Sequence, residues 1–422
     1  MSYVLTRTDE SADNASVVIK ASPKSIRQLQ GATASFKLVG MMLLRARNGT
    51  LNVCLPTGQT VVFDHGLPGP SATVIVHDYA FAEQSMAGGD VGFGESYMDG
   101  QWSTPDLTKV LEFFSENFDA AGRLAIGSLV VRVSNMIRHV FNRNSRAGSK
   151  RNIEAHYDLG NDFYSAWLDP SMTYSSALFD KPNLSLEQAQ LAKYARIADE
   201  LNLSEGKSVL EIGCGWGGFA EYAAKHRGAH VTALTLSPSQ REFALARMQR
   251  EGIADKVDIR LEDYRDHEGR YDGVASIEMF EAVGEKYWPS YFGKVERSLK
   301  PGGKAALQII TIKDDLFPRY RKRADFIQRY IFPGGMLPSE DALRKQTREV
   351  GLSIEDAHYF GPDYAETLRR WAKAFEEAWA SSIAPLGFDE RFRRMWRFYM
   401  SYCEAGFDNG RINVGQFSLA RR

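Results

Sequence analysis

The sequence predicts an α/β protein in which a larger, doubly wound domain with a mostly parallel sheet follows a smaller α+β domain. From Ser208 onward, short β-rich runs alternate with helical segments, and this alternation is typical of a parallel sheet covered by helices. A glycine-rich loop follows the first of these runs and opens a helix. The length of 422 residues allows two or three domains. We therefore divide the chain into residues 1–120, 121–152 and 153–422.

The composition is that of an ordinary globular protein and argues against several classes. Lys and Arg number 52 against 53 Asp and Glu, so a strongly basic nucleic-acid binder is disfavoured. No apolar run reaches the ~18 residues that span a bilayer, and the polar start of the chain does not resemble a signal peptide. The three cysteines form no CxxC pair, which argues against disulfides and structural zinc. We therefore expect a cytoplasmic protein without a metal site.

Residues 1–120 show mixed β and helical patterns and no catalytic motif. The run Thr50–Phe63 predicts two short strands around a Pro-Thr-Gly turn at residues 56–58. Apolar residues at helical spacing predict a helix over Asp106–Phe118. We expect this part of the chain to form the small α+β domain.

Residues 121–152 form a basic segment that predicts an amphipathic helix ending in a flexible linker. Between Ala121 and Arg151 the sequence has seven basic residues and no Asp or Glu, while apolar residues recur at helical spacing. Such a helix either packs on its apolar face between two domains or docks onto an anionic membrane surface, where each cation contributes on the order of 1 kcal/mol. The sequence leaves both interpretations open.

Residues 153–422 contain the alternation on which the fold prediction depends. Five β-rich runs and the helical segments between them predict parallel strands joined by crossover helices. The strands are predicted over Ser208–Ile212, His230–Leu236, Val257–Leu261, Tyr271–Ile277 and Lys304–Ile312. The helices are predicted over Phe219–Arg227, Ser239–Arg250 and Tyr287–Ser298.

The glycine loop, Glu211–Gly218, has glycines at positions 213, 215 and 218. This spacing lets the backbone turn tightly and approach a nucleotide-like ligand, but the pattern alone is a weak signal. A dinucleotide site needs an acidic residue about 20 positions later for the ribose, and here the second strand runs into Thr235–Gln240 instead. Trp216 also fills the loop where a diphosphate would lie. The loop therefore favours S-adenosylmethionine over a dinucleotide.

The segment Thr235–Gln240 also has a purely structural interpretation. Ser237 is a good helix N-cap, Pro238 suits the first helical position, and Gln240 is placed to close a capping box. The alternative is a polar cradle for the adenosine ribose and for the positively charged end of the cofactor.

Six segments, including the glycine loop, form a distinctive set of motifs. They are His156–Tyr164, Leu168–Ser176, Val209–Phe219, Ile277–Gly284, Tyr330–Pro338 and Phe360–Tyr364. Taken together, they resemble the cyclopropane-fatty-acid synthase family of S-adenosylmethionine-dependent methyltransferases, over about residues 154–407 and more loosely over the N-terminal part. The resemblance implies that residues 153–422 form a Rossmann-like class I methyltransferase domain, to which the N-terminal domain presents lipid.

The resemblance also implies a reaction on the acyl chain of a phospholipid. In the family, a carbon of a cis double bond attacks the methyl group of S-adenosylmethionine, and the resulting carbocation loses a proton to bound bicarbonate as a cyclopropane ring closes. A retuned base would instead give a methylene- or methyl-branched chain, so the product stays open. A carbocation requires π-faces and exclusion of water. The aromatic residues available, for which core packing is the alternative, are Tyr157, Phe163, Tyr174, Phe280, Tyr330, Phe332 and Tyr364.

Five positions correspond to the family's bicarbonate site; three match it and two depart from it. Glu281, Tyr364 and the backbone of Ile310 agree with the family, whereas Ser176 replaces a cysteine and Gln308 replaces a histidine. Serine and glutamine can still hydrogen-bond an anion, but glutamine cannot carry a proton as histidine does. The alternative role for Glu281 is a charge at a helix N-terminus.

The implied cofactor site surrounds the ends of the first three strands. Glu211 is expected to anchor the cofactor's ammonium group, and its alternative role is a strand-end carboxylate bonded to loop amides. Asp263 and Tyr264 are expected beside the adenine, with a turn as the alternative. The full set is Tyr157, Tyr174, Ser175, Glu211, Gly213, Gly215, Gly217, Thr235, Leu236, Gln240, Asp263 and Tyr264.

These inferences predict a cytoplasmic enzyme that associates peripherally with the inner face of an anionic membrane and takes an unsaturated phospholipid as substrate. The basic residues within 319–323 are either solvated or hold a lipid phosphate. No nucleic-acid partner is expected. The sequence does not decide whether the protein forms a homodimer, or whether a reductase partner completes a branched product. The rival functions are a small-molecule amine N-methyltransferase and a non-catalytic lipid-binding module.

Overall fold

The computed structural model describes residues 17–117 and 159–421. The predicted basic helix and linker at residues 121–152 and the predicted cofactor residue Tyr157 lie outside these ranges. Within them, no helix is long and apolar enough to cross a bilayer.

The N-terminal part contains a mixed five-stranded sheet in the order β1-β3-β2-β4-β5. Its strands are β1 (Val18–Lys20), β2 (Asn48–Cys54), β3 (Thr60–Asp64), β4 (Leu67–Val76) and β5 (Trp102–Ser103). The predicted hairpin is confirmed, because β2 and β3 pair antiparallel with Val53 opposite Val61. Burial alternates along both strands, as one face of the sheet covers the core. The helices of this part are α1 (Pro23–Arg27), α2 (Ala34–Leu43), α3 (Ala80–Gly88), α4 (Asp90–Met98) and α5 (Leu107–Glu116).

The larger part contains a seven-stranded sheet in the order β11-β12-β10-β9-β6-β7-β8. Its strands are β6 (Ser208–Ile212), β7 (His230–Thr235), β8 (Val257–Leu261), β9 (Tyr271–Ile277), β10 (Leu299–Ile312), β11 (Leu352–Tyr359) and β12 (Ile412–Arg421). The five predicted strands are confirmed and are mutually parallel, although β10 begins at Leu299 rather than Lys304. The strands β11 and β12 were not predicted, and β12 pairs antiparallel with both β10 and β11.

The strand order places the glycine loop at the centre of this sheet. The chain runs outward from β6 through β7 and β8, then returns to add β9 and β10 on the other side. A crevice forms beyond the carboxyl end of β6 because the connections diverge there, and such switch points are where open α/β sheets bind ligands. The helices are α6 (Asn161–Ser165), α7 (Leu186–Glu200), α8 (Gly218–Arg227), α9 (Pro238–Arg250), α10 (Trp288–Arg297), α11 (Phe317–Tyr320), α12 (Phe326–Tyr330), α13 (Glu340–Glu349), α14 (Gly361–Ala378) and α15 (Glu390–Asp408).

A single hydrophobic cluster joins the N-terminal sheet to the C-terminal helices. It includes Leu51 and Val61 of the N-terminal sheet together with Trp371 of α14 and Trp396 of α15, all at most 1% exposed. Polar contacts reinforce the junction, since the Thr108 hydroxyl donates to the Glu404 carboxylate at 2.9 Å. The N-terminal part is thereby held beside the seven-stranded sheet by α15.

Candidate active site

A cavity of about 1020 Å³ extends from the carboxyl ends of the parallel strands toward the N-terminal helices. At one end its wall includes the glycine loop and Thr235 at the end of β7. At the other end its wall is largely apolar and includes Val39 of α2, Leu111 of α5 and Phe114 of α5. One continuous space therefore connects the predicted cofactor site with the N-terminal part.

The glycine loop has the backbone conformation that its sequence predicts. Gly213 and Gly215 adopt φ values of +85° and +52°, a region that glycine enters without a steric penalty. Both line the cavity, and a Cβ added at Gly215 would meet no described atom within 4 Å. Gly217, by contrast, faces Ala244 and Met248 of α9. The structure therefore places Gly213 and Gly215 at the cavity and gives Gly217 a role in helix packing.

Glu211 lies at the cavity wall and is only 2% exposed. Its Oε2 forms no hydrogen bond with any described residue. Burial raises the pKa of Glu211 to about 8, and Arg247 only partly opposes this shift. A buried oxygen without a partner is costly, so the geometry is suited to a cationic ligand group that would pair with this carboxylate.

Thr235–Gln240 combines a helix cap with a polar wall. The Ser237 hydroxyl accepts from the backbone N–H of Gln240 at 3.3 Å, so the predicted N-cap is confirmed. The predicted capping box is wrong, because the Gln240 Oε1 accepts from the Thr235 hydroxyl at 3.0 Å instead of the side chain returning to Ser237. Thr235, Leu236 and Gln240 line the cavity. The structural and ligand-binding interpretations are therefore compatible.

Of the two residues predicted beside the adenine, only one lines the cavity. Tyr264 lines the cavity, and burial raises its pKa to about 12, so its hydroxyl stays protonated at neutral pH. Asp263 lies outside the cavity wall and binds the Arg265 guanidinium through both carboxylate oxygens, at 2.8 and 2.5 Å. The carboxylate of Asp263 therefore positions Arg265, which itself lines the cavity beside Glu262.

Tyr174 and Ser175 line the cavity as predicted, and each is held by a second residue. The Tyr174 hydroxyl donates to the Tyr399 hydroxyl at 2.9 Å. The Ser175 hydroxyl accepts from the Nζ of Lys193 at 2.7 Å. Lys193 is fully buried, and burial lowers its pKa to about 7. No sequence signal indicated Lys193, because its helix pattern resembles that of a surface lysine.

The predicted aromatic wall is present only in part. Tyr174, Phe332 and Tyr364 line the cavity. Phe163 and Phe280 are at most 1% exposed and belong to hydrophobic clusters, so the core-packing alternative applies to them. Tyr330 lies outside the cavity wall, and its hydroxyl donates to Glu95. The unpredicted tyrosines Tyr399 and Tyr402 also line the cavity.

Glu281 and Ile310, which were predicted to hold one bicarbonate, bond directly to each other. The backbone N–H of Ile310 donates to the Glu281 Oε1 at 2.5 Å, and Oε2 forms no hydrogen bond with any described residue. Burial, and then the neighbouring Glu278 carboxylate, raise the pKa of Glu281 to about 8. Glu281 is therefore a neutral acid at pH 7.

Glu278 is a residue that the sequence prediction missed. It follows β9 directly, lines the cavity and has a φ of +50°, which is uncommon for a residue with a Cβ. Its Oε1 accepts from the Gln308 amide at 2.7 Å and from the Ser176 backbone N–H at 2.8 Å. Its Oε2 accepts from the Tyr364 hydroxyl at 2.6 Å. The available signal was its position at the carboxyl end of a central strand, three residues before Glu281.

The predicted bicarbonate does not fit this arrangement. Gln308 and Tyr364, implied as bicarbonate ligands, donate to Glu278 instead, and so does the backbone N–H of Ser176. The Ser176 hydroxyl donates to the carbonyl of Ala177 at 3.0 Å, and both Ser176 and Gln308 lie outside the cavity wall. The carboxylate of Glu278 therefore occupies the anion position that these donors create.

Replacing Glu281 with Gln is expected to make the cofactor-free protein more stable at pH 8 but not at pH 5. The folded state keeps Glu281 protonated up to a pKa of about 8, whereas the unfolded chain ionises it near its ordinary value. The contribution of protonated Glu281 to the stability of the folded protein is therefore complete below about pH 4.5 and is lost as the pH rises through 8. Urea denaturation should show a gain of about 2 kcal/mol or more at pH 8.

The matched control for this measurement is Glu377→Gln, which removes an exposed carboxyl group on α14. It should leave the pH dependence of unfolding unchanged. An equal effect of Glu281→Gln at pH 5 and pH 8 would show that Glu281 is ionised in the folded protein.

Comparison with known proteins decides the family. A family model described as mycolic acid cyclopropane synthetase matches residues 144–417. The chain belongs to this family. The structure is similar to that of the cyclopropane synthase MmaA2 from Mycobacterium tuberculosis. The TM-score is 0.61 at 30% identity, and the match covers 64% of this chain and 98% of that one. The cyclopropane synthase CmaA1 in complex with SAH gives a TM-score of 0.60 at 30% identity, over 64% of this chain and 97% of that one.

Two relatives of the synthetase family cover both parts of the chain. The tuberculostearic acid methyltransferase UfaA1 of Mycobacterium tuberculosis is 42% identical over 357 residues, which is 81% of each chain. The cyclopropane-fatty-acyl-phospholipid synthase of Escherichia coli K12 is 37% identical over 363 residues, 83% of this chain and 88% of its own. Coclaurine N-methyltransferase, with a TM-score of 0.60 and 17% identity over 79% of this chain and 99% of its own, shares the fold alone.

As a member of the synthetase family, the chain is an S-adenosylmethionine-dependent methyltransferase with the predicted Rossmann-like α/β fold. The residues present fit S-adenosylmethionine. Gly215 leaves open space at the cavity, and Glu211 supplies a buried oxygen that lacks a partner among the described residues. Thr235, Gln240 and Tyr264 complete a polar wall for a nucleoside. When bound, the cofactor supplies an electrophilic methyl group.

Proposed function

We propose that this enzyme methylates a cis double bond in the acyl chain of an unsaturated phospholipid. The observation that carries the proposal is the single cavity, which runs from the glycine loop to apolar side chains of the N-terminal helices. Its volume of about 1020 Å³ lies at the upper end of the range of roughly 300–1,000 Å³ for sites of one small ligand. An aliphatic chain is the kind of substrate that would use the apolar end of this space.

The cavity wall near Glu278 is suited to a carbocation. Tyr174, Phe332 and Tyr364 present aromatic groups to the cavity, and aromatic faces attract cations. The low polarity of this wall would exclude water, which would otherwise trap the cation. The chain's residues would thus hold the double bond in place and protect the charged species until it loses a proton.

Two products follow from the same cation, and each is supported by one relative. Loss of a proton from the new methyl group with ring closure gives a cyclopropane, the product named for the Escherichia coli relative. A hydride shift before proton loss gives a methylene branch. Reduction of that branch would give a methyl-branched chain such as tuberculostearic acid, named for the Mycobacterium tuberculosis relative. A methyl-branched product would therefore require a reductase partner.

Basic residues at the cavity support binding to a phospholipid at an anionic surface. Arg319, Arg321, Lys322 and Arg323 line the cavity around α11. Arg321 already binds the Glu285 carboxylate. The concentration of cationic side chains at this wall is nevertheless suited to the phosphate of a lipid headgroup. The basic segment 121–151 adds a second source of positive charge in the sequence. We infer peripheral association with the inner face of the membrane.

The direct test is incubation with S-adenosylmethionine and vesicles of a monounsaturated phosphatidylglycerol, followed by mass spectrometry of the released fatty acids. A product heavier by one CH₂ group is expected, and fragmentation separates the ring from the methylene branch. Turnover of soluble amines but not of lipids would contradict the proposal. Binding of the cofactor without turnover of either substrate class would favour a non-catalytic lipid-binding module.

Replacing Val39 with Trp is expected to lower kcat/KM for the lipid about tenfold or more, because the indole would fill the apolar end of the cavity. Binding of S-adenosylmethionine, measured by calorimetry, should not change, since Val39 lies at the end away from the glycine loop. The control is Leu38→Trp at the neighbouring position of α2, which is 44% exposed and outside the cavity wall. Equal losses in both variants would indicate that α2 is perturbed generally.

A further inference from the structure

The carboxylate of Glu278 is held by donors from three separate parts of the chain. The Ser176 backbone, the Gln308 amide and the Tyr364 hydroxyl donate to it at 2.8, 2.7 and 2.6 Å. Gln308 is itself oriented, because its Oε1 accepts from the Gln416 amide at 3.1 Å. This arrangement leaves the carboxylate fixed in the cavity wall with both oxygens engaged.

The donors indicate that Glu278 is ionised. Three donors on one carboxyl group favour its ionised form, because a protonated Glu278 would accept only two of these hydrogen bonds and would have to donate the third to the Tyr364 hydroxyl. Lys193, which is fully buried, lies close enough to favour the negative charge. Burial acts in the opposite direction and raises the pKa of Glu278 above its ordinary value, which makes this carboxylate a stronger base.

The surroundings of Glu281 indicate that it is protonated while Glu278 is ionised. The Oε1 of Glu281 accepts from the Ile310 backbone N–H, and its Oε2 has no partner among the described residues. Two neighbouring carboxyl groups in one buried site separate into an acid and a base when their surroundings differ in this way. The pair therefore consists of an ionised Glu278 and a protonated Glu281.

We propose that Glu278 is the base of this enzyme and that it takes the place of bound bicarbonate in proton removal. The inference rests on the proposed function. After methyl transfer the lipid carries a carbocation, and a C–H bond beside it breaks. The electron pair of that bond forms the new C–C bond of a ring or the C=C bond of a methylene branch. The proton passes to a carboxylate oxygen of Glu278, so atoms and charge balance without a further reactant.

The backbone at Glu278 supports this assignment. A φ of +50° is a conformation that glycine adopts without strain and that is strained for a residue with a Cβ. Glu278 nevertheless occupies this position at the end of β9, with its side chain at the cavity. The position is thus one at which glycine would be tolerated while the surrounding donors stay in place.

This geometry provides a matched pair of variants. In Glu278→Gln, an amide of the same size fills the carboxylate position but cannot accept a proton. In Glu278→Gly, the position becomes empty while the three donors are retained. Bicarbonate can enter only the second variant.

The experiment measures lipid turnover in buffer freed of CO₂ and in buffer with added bicarbonate. The wild-type protein should be equally active in both, and Glu278→Gln should lose about 100-fold or more of kcat, the usual contribution of a general base. Added bicarbonate should raise the turnover of Glu278→Gly at least about tenfold and leave Glu278→Gln unchanged. A wild-type rate that falls when CO₂ is removed, or a Glu278→Gln variant that keeps more than about a third of kcat, would overturn the assignment.

Binding of ¹³C-bicarbonate, followed by NMR, tests the same point without lipid. We expect no binding to the wild-type protein and binding to Glu278→Gly, and bicarbonate bound by the wild-type protein would count against the proposal. Thermal melting and cofactor affinity report whether each variant is folded, and Glu278→Asp provides a second carboxylate variant. Lipid turnover that requires bicarbonate would remove only this inference, whereas absence of lipid turnover would remove the proposed function as well.

Discussion

Replacing Gly215 with Ala is expected to weaken S-adenosylmethionine binding by about 100-fold or more while the protein stays folded. Gly215 lines the cavity with a φ of +52°, and an added Cβ would meet no described atom within 4 Å. The methyl group would therefore occupy space that the cofactor needs rather than clash with the protein. Isothermal calorimetry measures the loss of affinity, and a thermal melt shows whether the fold is intact.

The control for the backbone cost is Gly58→Ala in the turn between β2 and β3. Gly58 has a φ of +79°, is exposed and likewise has no described atom within 4 Å of an added Cβ. Alanine in the left-handed region costs about 1 kcal/mol at either site. Only the Gly215 variant should lose cofactor affinity. Retained affinity in Gly215→Ala would remove the glycine loop from the cofactor site.

The parallel strands could be predicted because the information is local. Ser208–Ile212 and Tyr271–Ile277 are short β-rich runs next to helical patterns, and both strands have the predicted bounds. The strands β11 and β12 could not be predicted in this way. The burial of β12 comes from antiparallel pairing with β10, which lies far away in the sequence, so no neighbouring helix marks it.

The candidate site was also predicted only in part, because its contacts join segments that are far apart in the sequence. Glu281 and Ile310 were predicted to hold one bicarbonate, and they bond to each other instead. The convergence of Ser176, Gln308 and Tyr364 on one carboxylate was missed, because these residues are 102, 30 and 86 positions from Glu278. Which acceptor a donor reaches depends on how distant segments pack, and a motif that names each donor separately does not contain that information.

Replacing Glu211 with Gln is expected to weaken S-adenosylmethionine binding about 10- to 100-fold, the range for a charge-assisted hydrogen bond. The cofactor-free protein holds Glu211 as a neutral acid, because burial raises its pKa to about 8. Pairing with a cationic group would favour the ionised form. Binding at pH 7 should therefore release close to one proton from the wild-type protein and almost none from the variant.

Calorimetry in two buffers of different ionisation enthalpy measures this proton release directly. The control is Glu404→Gln, because Glu404 is also a buried carboxyl group whose pKa burial raises, to about 7, but it lies outside the cavity wall. That variant should match the wild-type protein in both affinity and proton release. If Glu211→Gln also matches the wild-type protein, Glu211 is a strand-end carboxylate with a structural role only, and another group must bind the cofactor's ammonium. Wild-type proton release that disappears in Glu211→Gln would instead identify the buried oxygen at the end of β6 as the ammonium's partner.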